Sequence, residues 1–295
     1  MNGDGQSGRR REFHTRMVRP CHALTIAPLA LDALSAALAV RCGFDAVYLG
    51  GGGLGYQRGI SEALLTQTEL SEATRAITER VDVNVVVDGG VGFGDPVHMA
   101  RTIRLIEGAG ASAIEIEDQV APKRAHHHKG VEHLVSPQAM ADRIRAAVDA
   151  RRDRDFLIVV RCNAFAHEGP EQTVERLHVY QDAGADMLMP MPRSADQFAA
   201  ATKGSTVPLA AMVIGAGRPT EQLLAAGYAL SVEPMSPQAA AFRAMKAAYE
   251  AIHSGENVGL SGTAVLDVMH EIAETMSIDA LYEIESRTTE RDHYA

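Results

Sequence analysis

Between Cys21 and about His253, short apolar runs alternate with longer segments in which apolar side chains recur every three to four residues. The short runs, at residues 22–27, 46–49, 83–87, 112–117, 156–161, 186–189, 209–213 and 228–232, have the length and aliphatic content of buried strands. Those between them, including residues 31–41, 95–107, 137–151, 171–182, 194–202, 221–226 and 238–253, carry a helical period. Gly108, Gly110, Gly184 and Gly227 fall after helices and before strands, where a left-handed cap is wanted. Each parallel return needs a crossover helix, so this alternation predicts a parallel sheet.

Eight such units close into a barrel. The expected class is therefore α/β, a (β/α)8 TIM-type barrel over residues 21–255. A flexible N-terminal arm is expected over residues 1–20 and a helical extension over 256–295. The rival, a doubly wound open sheet, wants a GxGxxG turn after its first strand, and residues 29–33 contain none. The run Gly50–Gly55 follows the second strand, but neither a helix N-terminus nor a ribose-binding acid is evident after it. In a barrel, function gathers on the loops after the strands. That rule selects Gly50–Gly53, Asp88, Glu117, Asp118, Arg161, Asn163 and Glu233, together with two long loops at 50–66 and 118–136 suited to cover a substrate.

The 295 residues carry 28 basic and 38 acidic side chains, a net charge of −10, which disfavours nucleic acid or an anionic membrane as partner. The basic run Arg9–Arg11 reads as a solvated cluster on the arm. Cys21, Cys42 and Cys162 have no paired spacing and read as reduced thiols of a cytoplasmic protein. The polar first fifteen residues lack a secretory apolar core, and no segment has the roughly 18 apolar residues of a membrane span.

Asp88 and Glu117 end neighbouring strands, so their carboxylates can converge on a hard cation, Mg2+ or Mn2+; otherwise they cap the following helices. Arg161 follows the apolar FLIVV and presents a guanidinium suited to a carboxylate; the alternative is a structural ion pair with Glu117. The segment QVAPKRAHHHKGVEH over residues 119–133 reads as a cationic lid with a histidine acid or base, or else as an exposed polar loop. Gly50–Gly53 offers backbone amides to an oxyanion, or is a tight turn. Met187, Met189 and Met191 read as barrel packing, and Asp32 and Ser35 as helix caps.

These residues resemble the isocitrate lyase and phosphoenolpyruvate mutase superfamily, with most likeness to 2-methylisocitrate lyases and carboxyphosphoenolpyruvate phosphonomutases. The likeness runs over about residues 28–248 through ALDALSA, GFDAVYLGGGG, VDGGVGFGDP, IEDQVAPKR, VVRCNA and AGYALSVEPMS. It implies a homo-oligomer, dimer or tetramer, with exchanged C-terminal helices. It also implies a bound Mg2+ (or Mn2+) and an enolate formed from a small carboxylate substrate. By position it makes Asp88 the direct metal ligand, Glu117 an acid reached through water, Lys123 the lid lysine and Arg161 the carboxylate-binding arginine, with Gly52 and Gly53 as substrate-holding amides.

Departures from the family pattern are equally specific. A second acid is replaced by Gly90, a loop acid by Ser61 with Glu62 adjacent, and the catalytic cysteine by Ala125. The acid after the arginine is Asn163, an Asn and a Glu are Ala211 and Ile214, and a tyrosine is Glu233. His126, His127 and Glu233 are the candidates to take over proton transfer. The expected activity is a Mg2+-dependent lyase that cleaves a C–C bond of a small 2-hydroxy or 2-oxo acid. Phosphoryl migration, oxaloacetate-type decarboxylation and a non-catalytic binding barrel are the alternatives.

Overall fold

In the computed structural model, residues 3–19, 23–215 and 220–291 are described; Cys21 and His22 lie outside them. Among these residues the chain runs α1 (Gly3–Val18), β1 (Thr25–Pro28), α2 (Ala33–Arg41), β2 (Ala46–Leu49), α3 (Gly51–Gln57), α4 (Gln67–Thr78), β3 (Asn84–Asp88), α5 (Pro96–Gly108), β4 (Ala113–Glu117) and α6 (Pro137–Ala150). It continues through β5 (Leu157–Cys162), α7 (Pro170–Asp182), β6 (Met187–Pro190), α8 (Ala195–Gly204), β7 (Leu209–Met212), α9 (Thr220–Ala225), β8 (Tyr228–Glu233), α10 (Ser236–Ser254), α11 (Gly262–Thr275) and α12 (Asp279–Arg287). All eight strands are parallel neighbours in the order β1-β8-β7-β6-β5-β4-β3-β2. A parallel bridge between Leu29 and Tyr48 brings the two ends together. The expected (β/α)8 barrel is the fold, and each expected strand overlaps an observed one.

Alternation along the strands divides two cores. Tyr48, Val86, Leu157, Val159, Met187, Met189 and Leu230 fill the barrel, while Val47, Val85, Ile114, Ile158 and Leu188 pack under the helices. Met187 and Met189 are thus barrel packing, and Met191 packs against the same interior. Asp32 caps α2 in a reciprocal box with Ser35. Gly110, Gly184 and Gly227 have positive φ, whereas Gly108 is the last residue of α5.

The N-terminal segment differs from the expected solvated arm. It is helical, and Phe13 and Met17, one turn apart, are fully buried in the barrel interior. Arg10 is buried too: it donates to the Ala111 carbonyl through Nε and Nη2 at 3.1 and 2.8 Å and pairs with Asp153 at 2.8 Å. Three large apolar side chains in sixteen residues, Phe13, Met17 and Val18, make a weak periodic signal, and only the open end of the barrel gives the first two somewhere to go. Phe242 and Tyr249 on α10, and Leu266 and Met269 in the helical extension, are exposed. No described helix is long and apolar enough to cross a membrane.

Candidate active site

The site forms where β2–β5 end. In AIEIE of β4, alternation sends Ile114 and Ile116 under the helices and Glu115 and Glu117 the other way, both at 0 % exposure. The last residue of β3, Asp88, accepts hydrogen bonds from the Gly51 amide at 3.1 Å and the Gly90 amide at 2.9 Å. Gly51 opens α3, a helix within the segment expected to be loop. Packing overrides the low helix propensity of its glycines. A Cβ on Gly51 would sit 3.3 Å from both Asp88 Oδ2 and Glu62 Oε2, and one on Gly55 would strike the Glu62 amide at 2.7 Å. The Gly52 and Gly53 amides lie in that first turn, where no carbonyl four residues earlier belongs to the helix.

A row of alternating charges crosses the mouth of the barrel. Lys123 Nζ pairs with Glu62 and lies 2.7 Å from Glu117 Oε1. Arg161 Nη2 is 2.8 Å from Glu117 Oε2, and its Nη1 is 3.0 Å from Glu115 Oε1. Tyr48 donates to Glu115 Oε2 at 2.8 Å, which ends the row inside the barrel. Asn163 ties the other side: its Nδ2 donates to Glu117 at 3.1 Å and Asp118 at 3.2 Å, and its Oδ1 accepts from Arg161 Nε at 3.1 Å. A carboxylate at 163 would repel both acids that the amide binds. The buried Asp118 in turn accepts from the Asn163 amide at 3.0 Å and from the Tyr180 hydroxyl at 2.9 Å.

Each member of the row titrates away from its ordinary value. Burial pushes Glu115 up to about 7, against the pull of Arg161. Burial likewise raises Asp88, with Glu62 and Glu117 adding repulsion that Lys123 and Arg161 only partly offset. For Glu117, burial is outweighed by Arg161 and Lys123, so it stays ionised below the usual range. Burial of Glu62 is outweighed by its bonds to His127 and Lys123, and it too is lowered. Lys123 is raised because Glu117, Asp88 and Glu62 overcome its desolvation. His127 is raised chiefly by its 2.6 Å contact with Glu62.

Two cavities flank this row. One of about 220 Å³ is lined by Gly51, Glu62, Asp88, Gly90, Phe93 and Lys123, among others. The second, of about 190 Å³, opens beside Arg161 and Asn163 towards β6–β8. The donor set of the first suits a divalent cation with a shell made largely of water. Among the described residues no three His, Cys, Asp or Glu side chains converge to cage an ion. Glu117 is buried, with Lys123 Nζ 2.7 Å from its Oε1. Asp88 keeps free lone pairs beyond its two amide bonds. Four buried or nearly buried acids, Glu62, Asp88, Glu115 and Glu117, face two permanent cations, Lys123 and Arg161.

Among the expected residues, Asp88, Glu117, Lys123, Arg161, Asn163 and His127 meet here. Arg161 is an ion-pair partner of Glu117, the structural alternative open to it, and lines the second cavity as well. His126 does not join them: it is exposed and enters no side-chain hydrogen bond or ion pair among the described residues. Glu233 caps α10 instead, accepting from the amides of Gly215, Met235 and Ser236 and from the Ser236 hydroxyl at 2.8–3.1 Å. Those amides hold it below its usual pKa although burial alone would raise it.

Ser61 bonds His128 at 2.8 Å, and the loop acid that enters the site is the adjacent Glu62. Glu62, Glu115 and Tyr48 are site residues missed from the sequence. For Glu115 and Tyr48 the signal was available in strand alternation, whereas the loop bearing Glu62 has no period to read.

The profile of the phosphoenolpyruvate phosphomutase family matches residues 16–253. The chain is 35 % identical over 275 residues to the 2-methylisocitrate lyase of Aeropyrum pernix, covering 90 % of this chain and 86 % of that one. It is 34 % identical over 278 residues to the 2,3-dimethylmalate lyase of Eubacterium barkeri, covering 89 % and 92 %. A crystal structure of phosphonopyruvate hydrolase with oxalate and Mg2+ superposes with a TM-score of 0.80 at 26 % identity, over 95 % of this chain and 99 % of that one.

Proposed function

The chain belongs to the phosphoenolpyruvate phosphomutase family, and on that premise we propose that it is a C–C lyase acting on a small 2-hydroxy or 2-oxo carboxylic acid through an enolate. The observation that carries the reading is the Glu62–Lys123–Glu117–Arg161 row beside the Asp88 cavity, which opens on the first turn of α3. Asp88 would hold the cation directly, with Glu117 reached through water. A divalent ion there supplies Lewis-acid stabilisation of charge developing on the 2-oxygen. The Gly52 and Gly53 amides grip the substrate carboxylate.

For a 2-hydroxy acid, the hydroxyl gives up its proton and C2–O becomes a carbonyl. The C2–C3 bond breaks, and its electron pair moves to C3 and the carboxylate attached there. Glu62 lines the cavity as the relay: His127, protonated and bonded behind it, supplies the proton that C3 gains, and the pair recovers one from the 2-hydroxyl. Lys123 and Arg161 stay charged and offset the negative charge that builds up. The proton donor has thus moved from position 125, an alanine, to the His127–Glu62 pair. Exposed apolar side chains on α10–α12, such as Phe242 and Leu266, support a homo-oligomer.

The test is release of a 2-oxo acid from malate-type acids with Mg2+ and with EDTA, for the native chain and Asp88→Asn. Loss of turnover in EDTA and in the variant is expected. Full turnover in EDTA would remove the cation from the mechanism.

A further inference from the structure

One buried acid at the barrel mouth takes no part in the proton and charge chemistry of the row. Asp118 follows Glu117 but lies on the helix side of the barrel wall, where it meets Tyr180 of α7. It is at 0 % exposure, lines neither cavity and enters no ion pair among the described residues. A buried acid of this kind persists only where donors replace the lost water. Oδ1 accepts from both nitrogens of a single residue, the Asn163 backbone amide at 3.0 Å and its Nδ2 at 3.2 Å. Oδ2 accepts from the Tyr180 hydroxyl at 2.9 Å, and that hydroxyl accepts from Arg176 Nη1 at 3.1 Å.

Two bonds from one residue to one oxygen leave the Asn163 side chain a single orientation. Its Nδ2 also donates to Glu117 at 3.1 Å, and its Oδ1 then faces Arg161 Nε at 3.1 Å. Turned over, the amide would set its oxygen against two acids and its NH2 against the Nε–H. Arg161 gives its Nη groups to Glu115 and Glu117, so Asn163 is its neutral acceptor among the described residues. We propose that Asp118 is a positioning residue: acting through Asn163, it holds the Arg161 guanidinium at the angle at which it meets the charge that develops on the substrate. The inference rests on the lyase reading and deepens it. A purely structural role for Asp118 is separable, because its backbone carbonyl seats the end of the 118–136 loop by accepting from the Val135 amide at 2.9 Å. That bond survives any change of side chain.

The experiment measures kcat and KM of Asp118→Ala, Asp118→Leu and Asp118→Asn with Mg2+ on 2-methylisocitrate and 2,3-dimethylmalate, read as release of the 2-oxo acid. Asparagine keeps an acceptor for both Asn163 nitrogens and turns its NH2 to the Tyr180 oxygen. Alanine and leucine offer no acceptor, and leucine keeps the volume. Outer groups that orient a site contribute about 10–100-fold. The alanine and leucine variants should therefore lose about tenfold or more in kcat, with KM within about twofold, as when an interaction made in the transition state is removed. Asp118→Asn should stay within about threefold of the native kcat. In an Asn163→Ala background, adding Asp118→Ala should cost no more than about twofold, because the group it acts through is gone. An unchanged kcat in the alanine and leucine variants would overturn the proposal. So would a loss that asparagine does not recover, or the full loss repeated in the Asn163→Ala background. Failure of both variants to fold would also overturn it, since Asp118 would then serve the fold alone.

If the native chain cleaves neither acid, the lyase reading fails on its own. Calorimetry with oxalate, a planar dianion like an enolate carboxylate, then judges the positioning on the Mn2+-loaded chain. Oxalate binding weakened by about tenfold in Asp118→Leu and recovered in Asp118→Asn, at equal Mn2+ affinity, sustains it. Equal oxalate affinity, or a parallel loss of Mn2+ affinity, refutes it.

Discussion

Glu115 gives a prediction whose sign is opposite to that of most acid-to-amide changes in an ion-pair network. The side chain is fully buried in the barrel and titrates at about 7 because desolvation exceeds the pull of Arg161. In the unfolded chain it titrates at the ordinary 4.5. Between these values the folded state holds a proton that the unfolded state has released, so stability falls as pH rises through the window. At about 1.4 kcal/mol for each pH unit between them, the ionised carboxylate costs on the order of 3 kcal/mol above pH 7.

Glu115→Gln keeps the shape and the bond to Tyr48 but cannot ionise, and Arg161 retains Glu117 at 2.8 Å. The variant should therefore gain on the native chain between pH 5.5 and 8, by about 2 kcal/mol. Urea denaturation of both proteins at several pH values, under reversible conditions, reads the difference directly. A stability difference that does not change with pH, or one that turns against glutamine as pH rises, would refute the argument that burial dominates at this position.

Other perturbations probe the remaining parts. Phe13→Ala removes the fully buried ring that α1 places in the barrel, and denaturation midpoints should report a loss of about 3–5 kcal/mol. Lys123→Met withdraws the ammonium from Glu62 and Glu117, so calorimetry with Mn2+ should show about tenfold tighter binding alongside lost turnover; unchanged affinity would mean that lysine and ion do not compete. His127 is held protonated above its usual range by Glu62, so kcat should decline on the alkaline side as it loses its proton. His127→Asn should remove that limb and lower kcat by about 10²-fold or more; an unaltered profile would exclude the histidine from proton transfer.

What the sequence made legible follows from which signals are local. The strand Ala46–Leu49 and the run ending at Arg161 are short, mostly apolar stretches between punctuated helices, so both strands and tips were readable. From the tips came Asp88, Glu117, Arg161 and Asn163. Glu233 shows where that rule over-reaches: a strand-tip acid directly before a helix serves equally well as its cap, and only the geometry of residues 235–236 decides between the two. Glu62 was not readable because its direction is set by α3 and the short turn after it, a helix that glycines form only when packed against Asp88 and Glu62 themselves. The burial of Arg10 was hidden for a similar reason, since its partners are the Ala111 carbonyl and Asp153, far away in the chain.

The proton donor can be narrowed by elimination within the charge row. Lys123 lines the cavity, but Glu117, Asp88 and Glu62 bind its charged form so strongly that its pKa is raised, which makes it a poor acid near neutrality. Arg161 is raised further, by Glu117 and Glu115. Glu115 titrates near neutrality, but it is fully buried and does not line either cavity. The tyrosine bonded to it is pushed well up by burial. The proposed donor is therefore His127, held protonated by Glu62 on the cavity wall; Glu62 itself is lowered by His127 and Lys123 and serves as the relay, not as the resting acid. The neutral Asn163 belongs to the same economy of charge: with an acid there, Glu117 would lose a donor and gain a repulsive neighbour. Arg161 would then be shared among three carboxylates, leaving less positive charge for the enolate.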